Sequence, residues 1–185
     1  DNGATADVGA VTWGNGASGI TGPVTSANSL IGAAANDQVG ALQPSKGTAI
    51  VALSDGNYTV LSFRWNGLRG AVTWGDGASG TTGIVSAANS LVGTNPGDLI
   101  APDRFVLPNG QYLVKESGWN GNRGAVAWSA RTPGLTGVLA KPDSVFGSAA
   151  NGGNSIVVSA ETYSDQLNIV AVGRRADNIV TIMFP

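Results

Sequence analysis

Short apolar runs separated by Gly, Asn and Asp turns recur along this chain in a fixed order, and three of them carry the same string, Gly-Ala-Val-x-Trp. The copies begin at Gly9, Gly70 and Gly124, so they stand 61 and 54 residues apart. A self-similar period of that size belongs to propellers, prisms, trefoils and arrays rather than to a single irregular domain. Residues common to every copy are first of all what each unit needs to fold. Site residues are to be sought where the copies present polar groups outward, or where one copy departs from the others.

The two middle copies align without gaps at an offset of 54, from Leu53 to Gly70 on Leu107 to Gly124. Each unit contains four strand signals. The first is an apolar run, Ala49 to Leu53 and Arg104 to Leu107, followed by Asp55-Gly56 and Asn109-Gly110. Such pairs tolerate positive φ, so a two-residue hairpin turn is expected there. The second strand is Asn57 to Leu61 and Gln111 to Val114, leading into a polar loop, Trp-Asn-Gly-x-Arg. Gly-Ala-Val-x-Trp is the third strand. The fourth is a Thr/Ser/Val segment ending in Asn28 to Gly32, Asn89 to Gly93 and Asp143 to Gly147. Thr and Val favour strand, and no segment combines helix-capping signals with a 3.6-residue period.

The termini are out of phase with this order. Residues 1–48 begin just before a third strand, and units follow at 49–103 and 104–154. Residues 155–185 keep three strand signals, Ser155 to Val158, Leu167 to Val172 and Ile179 to Ile182. They lack the Asp-Gly turn, the Trp-Asn-Gly loop and the strand-three Trp, which reads as a degenerate capping unit. The expected fold is all-β, about three four-stranded repeats arranged as propeller-like blades, with β-prism and β-trefoil as alternatives. Propellers usually need about four or more blades. The end strands are therefore expected to pair with each other, in one chain or across a homo-oligomer.

Composition narrows the functional classes. Charged residues are 12%, about half the usual share, and 28 glycines are about twice it. Ten Lys plus Arg against twelve Asp plus Glu leave no basic stripe for nucleic acid. No apolar run is long enough for a membrane span. Cysteine and histidine are both absent, which removes thiolate metal sites and the commonest general base. Only Glu116 and Glu161 represent glutamate; neither a catalytic set nor a cofactor is expected. The start at Asp1 reads as a processed chain or a fragment.

The stretch from Gly70 to Gly93, and nearly as well Gly9 to Gly32, resembles the tandem repeats of bacterial haemagglutinin-like and adhesin-like surface proteins. Gly124 to Gly147 departs from that pattern, with Ser129 to Pro133 in place of the Gly-Asp-Gly turn. The resemblance implies a secreted or cell-surface bacterial module and brings no ligand or catalytic residue with it.

Candidate ligand groups follow from the loops, since loops carry function disproportionately. Trp65, Asn66 and Arg69 in one copy, and Trp119, Asn120 and Arg123 in the next, would stack on sugar faces and hydrogen-bond hydroxyls. In the competing reading each indole staples its own loop. Trp13, Trp74 and Trp128 are expected to pack between sheets. Gly75-Asp76-Gly77 and Gly14-Asn15-Gly16 read as turns rather than halves of a calcium site, so no metal is expected. The functional expectation is a non-catalytic carbohydrate-binding adhesion module acting on host or cell-surface glycoconjugates. The alternative is a structural stalk or assembly repeat with no small ligand.

Overall fold

The computed structural model describes residues 4–42, 47–98, 103–129, 134–139, 144–158 and 162–184. Every Gly-Ala-Val-x-Trp copy is a strand. Unit one contributes β1 (Ala10–Thr12) and β2 (Ser29–Ile31). Unit two contributes β3 (Ile50–Ala52), β4 (Tyr58–Ser62), β5 (Ala71–Gly75), β6 (Gly83–Ile84) and β7 (Ser90–Val92). In unit three come β8 (Asp103–Val106), β9 (Tyr112–Glu116), β10 (Ala125–Trp128), β11 (Gly137–Val138) and β12 (Ser144–Phe146). Unit four holds β13 (Ile156–Val157), β14 (Tyr163–Ser164), β15 (Ile169–Arg174) and β16 (Ile179–Met183).

Units two and three each form the expected four-stranded antiparallel meander, β3-β4-β5-β7 and β8-β9-β10-β12. The hairpin turn differs from expectation. Leu53 N–H donates to the Asn57 carbonyl at 2.7 Å, leaving three loop residues, with Gly56 at φ +89°. Leu107 and Gln111 repeat this at 2.8 Å around Gly110. Asp55-Gly56 therefore ends a three-residue loop with a left-handed glycine, the bulged class of hairpin, instead of making a two-residue turn.

The short strands β6 and β11 belong to a different unit from their sheet. Between strands three and four the chain crosses back and lies parallel to the last strand of the preceding unit, β6 on β2 and β11 on β7. Each crossing ends in an apolar anchor, Val85 or Leu139, buried between the two units. The repeated Asn of the fourth-strand motif holds the arm in place. Asn89 Nδ2 donates to the Ile84 carbonyl at 3.0 Å, as Asn28 does to Pro23 at 3.0 Å. At the root of the arm, the Tyr58 hydroxyl accepts from Thr81 N–H and the Tyr112 hydroxyl from Leu135 N–H, both at 3.2 Å.

Sheets stack face to face, like propeller blades. Leu53, Leu61, Val72 and Leu91 of unit two meet Tyr112, Val114, Ala125 and Ala127 of unit three. The opposite face of unit three, with Leu113, Val126 and Trp128, meets Ile156, Val158, Val170 and Val172 of unit four. Leu30 and Val39 of unit one meet Val60, Ala71 and Val92 of unit two. Among the described residues no core cluster joins unit four to unit one, and the end strands do not pair with each other, so the stack is open. The central strands of the second and third sheets are buried, and some of their polar groups pair internally while others, such as Thr59 Oγ1 and Trp128 Nε1, have no hydrogen-bond partner among the described residues. Thr73 Oγ1 and Ser90 Oγ lie 2.7 Å apart in the second sheet.

Tryptophans of the third strand belong to this packing. A Cβ on Gly80 would sit against the Trp13 side chain, and one on Gly134 against Trp74, so each of these rings covers a glycine of the next unit. Trp13 Nε1 also donates to the Gly77 carbonyl across the junction, at 3.1 Å. Trp128 is 6% exposed, inside the junction of units three and four. Among the described residues unit four packs on unit three, and Val180 and Ile182 of its last strand are exposed.

Two expectations follow. Trp128→Ala should cost about 3–5 kcal/mol in chemical denaturation, the range for deleting a buried large aromatic; a cost near zero would contradict the packing. Burial pushes the Tyr112 phenol up to about 12. Its neutral form is thus favoured by folding, and that contribution is complete below the ordinary tyrosine value of about 10. Denaturant midpoints should fall as pH rises from there towards about 12, and Tyr112→Phe should flatten this drop without abolishing the part due to Tyr58, whose value is also raised by burial.

Candidate functional site

The Trp-Asn-Gly-x-Arg loops are single helical turns closed around left-handed residues. Asn66 (φ 48°, ψ 56°) and Gly67 (φ 66°, ψ 47°) are matched by Asn120 (φ 49°, ψ 59°) and Gly121 (φ 69°, ψ 42°). Asn and Gly are the residues that enter this region most readily, which accounts for the repeated pair. Leu68 and Asn122 continue the left-handed run at φ 67° and 59°. The turn then closes on Trp, since Gly70 N–H donates to the Trp65 carbonyl at 3.1 Å and Gly124 N–H to Trp119 at 3.2 Å.

The candidate ligand groups separate into inward and outward sets. Trp65 is 9% exposed and packs with Leu30, Val39 and Val60 in the junction of units one and two. Trp119 stacks on Phe146, with ring centroids 4.4 Å apart and planes inclined by 16°. It also packs against the junction of units two and three. Its Nε1 is buried without a hydrogen-bond partner among the described residues. Asn66 and Asn120 are exposed at the loop tips. Arg69 and Arg123 are half-buried; Arg69 Nε is enclosed, and Arg123 donates to the Ser148 carbonyl. Each loop thus presents an Asn-Gly tip over an indole turned into the core.

What holds these loops is a pair of buried aspartates, Asp37 and Asp98, each 2% exposed. Asp98 Oδ2 accepts from Thr94 and Asn95 N–H, both at 2.8 Å, and its Oδ1 from Asn120 N–H of the next unit at 3.1 Å. Asp37 repeats this with Ala33 and Ala34 at 2.9 and 2.8 Å, and with Asn66 at 2.9 Å. Three amide donors satisfy a carboxylate that would otherwise be costly to bury. The same turn also ties back to its own unit, because Gly97 N–H donates to the Leu68 carbonyl at 3.0 Å. Loop, turn and next loop form a ladder along one edge of the stack. A signal for it existed in the sequence, as an Asp stands five residues after Gly32 and after Gly93.

The third junction uses the same bond with the partners exchanged. Gly152 occupies the position of the aspartate, and Asp177 stands 54 residues after Arg123. Asp177 reaches back to the unit-three turn, accepting from Ser148 Oγ at 2.5 Å and Ser148 N–H at 3.2 Å, with Arg174 at 3.2 Å. The Ser148 hydroxyl, more than the amides and Arg174, holds the Asp177 carboxyl below its ordinary value. That contact is therefore complete above about pH 4 and is lost as pH falls through the lowered value.

Other candidate chemistry resolves into turns. Asp76 Oδ1 accepts from Ala78 N–H at 2.7 Å and Ser79 N–H at 3.1 Å, which lowers its pKa. Asn15 makes the same turn, with Ala17 N–H at 2.8 Å. Among the described residues no three Asp or Glu side chains gather as metal ligands, and no helix is long and apolar enough to cross a membrane.

Removing the ladder carboxylate should loosen two units at once. Asp98→Ala is expected to cost about 2–3 kcal/mol in denaturation, as three donors lose a charged acceptor. Amide exchange at Asn120, in the neighbouring unit, should accelerate with it. A neutral substitution with unchanged Asn120 protection would refute the ladder.

A repeat-family model matches the chain three times, over residues 1–41, 52–101 and 106–160, in step with units one to three. No curated protein and no solved structure matches it. The chain belongs to the family described as Repeat of unknown function (DUF5650), of which it carries three tandem copies.

Proposed function

We propose that this chain is a non-catalytic assembly module whose work is to stack β-sheets into a rigid array, on a bacterial surface if its adhesin-like resemblance extends to location. The observation that carries this reading is the placement of the repeated indoles. Trp65 and Trp119 pack into junctions between units, as do Trp74 and Trp128. An indole that must stack on a sugar needs an open face, and Trp119 has one face on Phe146. The absence of His and Cys from the sequence agrees with a non-catalytic role.

A carbohydrate-binding reading retains one favourable observation, the exposed Asn66 and Asn120 at equivalent tips of consecutive units. Sugar contact would then fall to those amides and the arginines beside them, as weak sites used together. A broad glycan array tests both readings. The assembly reading expects no specific hit. A hit that disappears in the double variant Asn66→Ala and Asn120→Ala, with the fold intact by circular dichroism, would replace it with the lectin reading. Trp65→Ala with Trp119→Ala is expected to lower stability and does not separate the two.

A further inference from the structure

We propose that the junction between units two and three holds a carboxylate-binding site, centred on the Arg104 guanidinium and walled by Thr59, Trp74 and Tyr112. The proposal goes beyond the stacking reading and does not depend on it. Units two and three each have a neighbour on both sides, so the ends of the chain do not bear on this junction.

Arg104 is a departure within the repeat. The residues 54 before and 54 after it are Ile50 and Val158, both apolar. Register sets Arg104 opposite Val114 and Val106 opposite Tyr112. Val106, Tyr112 and Val114 belong to the face that packs on unit two, and strand alternation puts Arg104 on the same face. Its Nε and Nη1 are enclosed and have no hydrogen-bond partner among the described residues. Burial pushes its pKa down, and the charge interaction that counters this is with the Tyr112 phenol rather than with a carboxylate. A buried cation without an anion is costly, and an apolar residue in its place, as in units two and four, carries no such cost.

The groups on either side of it are hydrogen-bond donors. Tyr112 is 0% exposed, and its oxygen accepts from Leu135 N–H at 3.2 Å, which leaves the phenolic proton to give. A Cβ on Gly134 would strike both the Tyr112 hydroxyl and Trp74, so phenol and indole meet across that glycine. Trp74 Nε1 is buried without an acceptor among the described residues, whereas Trp13 Nε1, at the same place in unit one, donates to the Gly77 carbonyl. Thr59 stands opposite Trp74 in register and is 0% exposed, and its hydroxyl is also without a partner among them. Native interiors leave few such atoms unpaired. Here four residues that supply N–H or O–H groups meet at one junction, and one of them is charged. A carboxylate is the acceptor whose two oxygens match the planar guanidinium fork, and its charge offsets the buried cation. Arg104 is only half-buried, which places its guanidinium at the rim of the junction, within reach of a ligand from solvent.

Thermal unfolding in sodium chloride, acetate and glucuronate at matched ionic strength tests this. Wild-type Tm should rise with carboxylate concentration beyond its response to chloride, because a ligand held by the folded state alone stabilises it. Equal responses to acetate and glucuronate identify a free carboxylate as sufficient; a response to glucuronate at lower concentration identifies an acidic sugar. Arg104→Leu should melt above wild type in chloride and lose the carboxylate response. Arg104→Gln should lose it as well, and answers the question if the leucine variant fails to fold. Trp74→Phe keeps a ring over Gly134 and should weaken the response. Asn66→Ala with Asn120→Ala should leave it whole, which separates this site from the loop tips. Wild type that melts at the same temperature in carboxylate as in chloride overturns the inference, and so does an undiminished response in Arg104→Leu or Arg104→Gln.

Discussion

Burial of sheets on both faces is the constraint from which the rest of this structure follows. Each four-stranded meander is too thin to bury its own apolar side chains, so it is stable only against a neighbour. Unit three meets this on both sides, with Tyr112 and Val114 turned to one neighbour and Leu113 and Val126 to the other. Once both faces are interior, a polar group in the sheet gains from a partner there. The Thr73–Ser90 hydroxyl pair shows how this is done. Close approach of the sheets and loops accounts for several of the repeated glycines, since a Cβ on Gly93 or Gly147 would strike the carbonyl of Arg69 or Arg123.

Three devices tie successive sheets together, and they act at different places. Apolar faces supply the contact area at the centre. The parallel arms β6 and β11 thread each unit into the sheet before it, so the junction has backbone hydrogen bonds as well as side-chain packing. Along one edge, Asp37 and Asp98 bind the loop of the following unit through its Asn amide. The exchange of Gly152 and Asp177 at the last junction shows that the loop-to-turn bond matters more than which side supplies the carboxylate. A junction with all three devices should behave as one cooperative piece rather than as blades sliding on each other.

The loops illustrate how a recurrent motif divides between structure and surface. Trp-Asn-Gly-x-Arg contains the residue types of a sugar site, yet its indole points inward because the loop has to cap a junction. Its Asn is present for a left-handed turn. What remains outside is a small amide tip, repeated at the spacing of the stack. Any partner recognised at that edge would meet an array of such tips rather than an aromatic platform.

Much of this was legible in the residues. The three strings beginning at Gly9, Gly70 and Gly124, and the 54-residue offset, located nearly every meander strand, because strand patterns and turn glycines are local and each unit repeats the same packing problem. The packing role of Trp74 and Trp128 was also readable, since a large aromatic in every unit has a common cause in the core. Tertiary structure alone decided three things. β6 and β11 are two residues long, and their pairing is with another unit, which no local pattern encodes. Asp37 and Asp98 look like turn residues until the loop of the next unit is brought to them. The direction of Trp65 and Trp119, inward or outward, depends on which neighbour covers them, and a sequence of loop residues cannot state that.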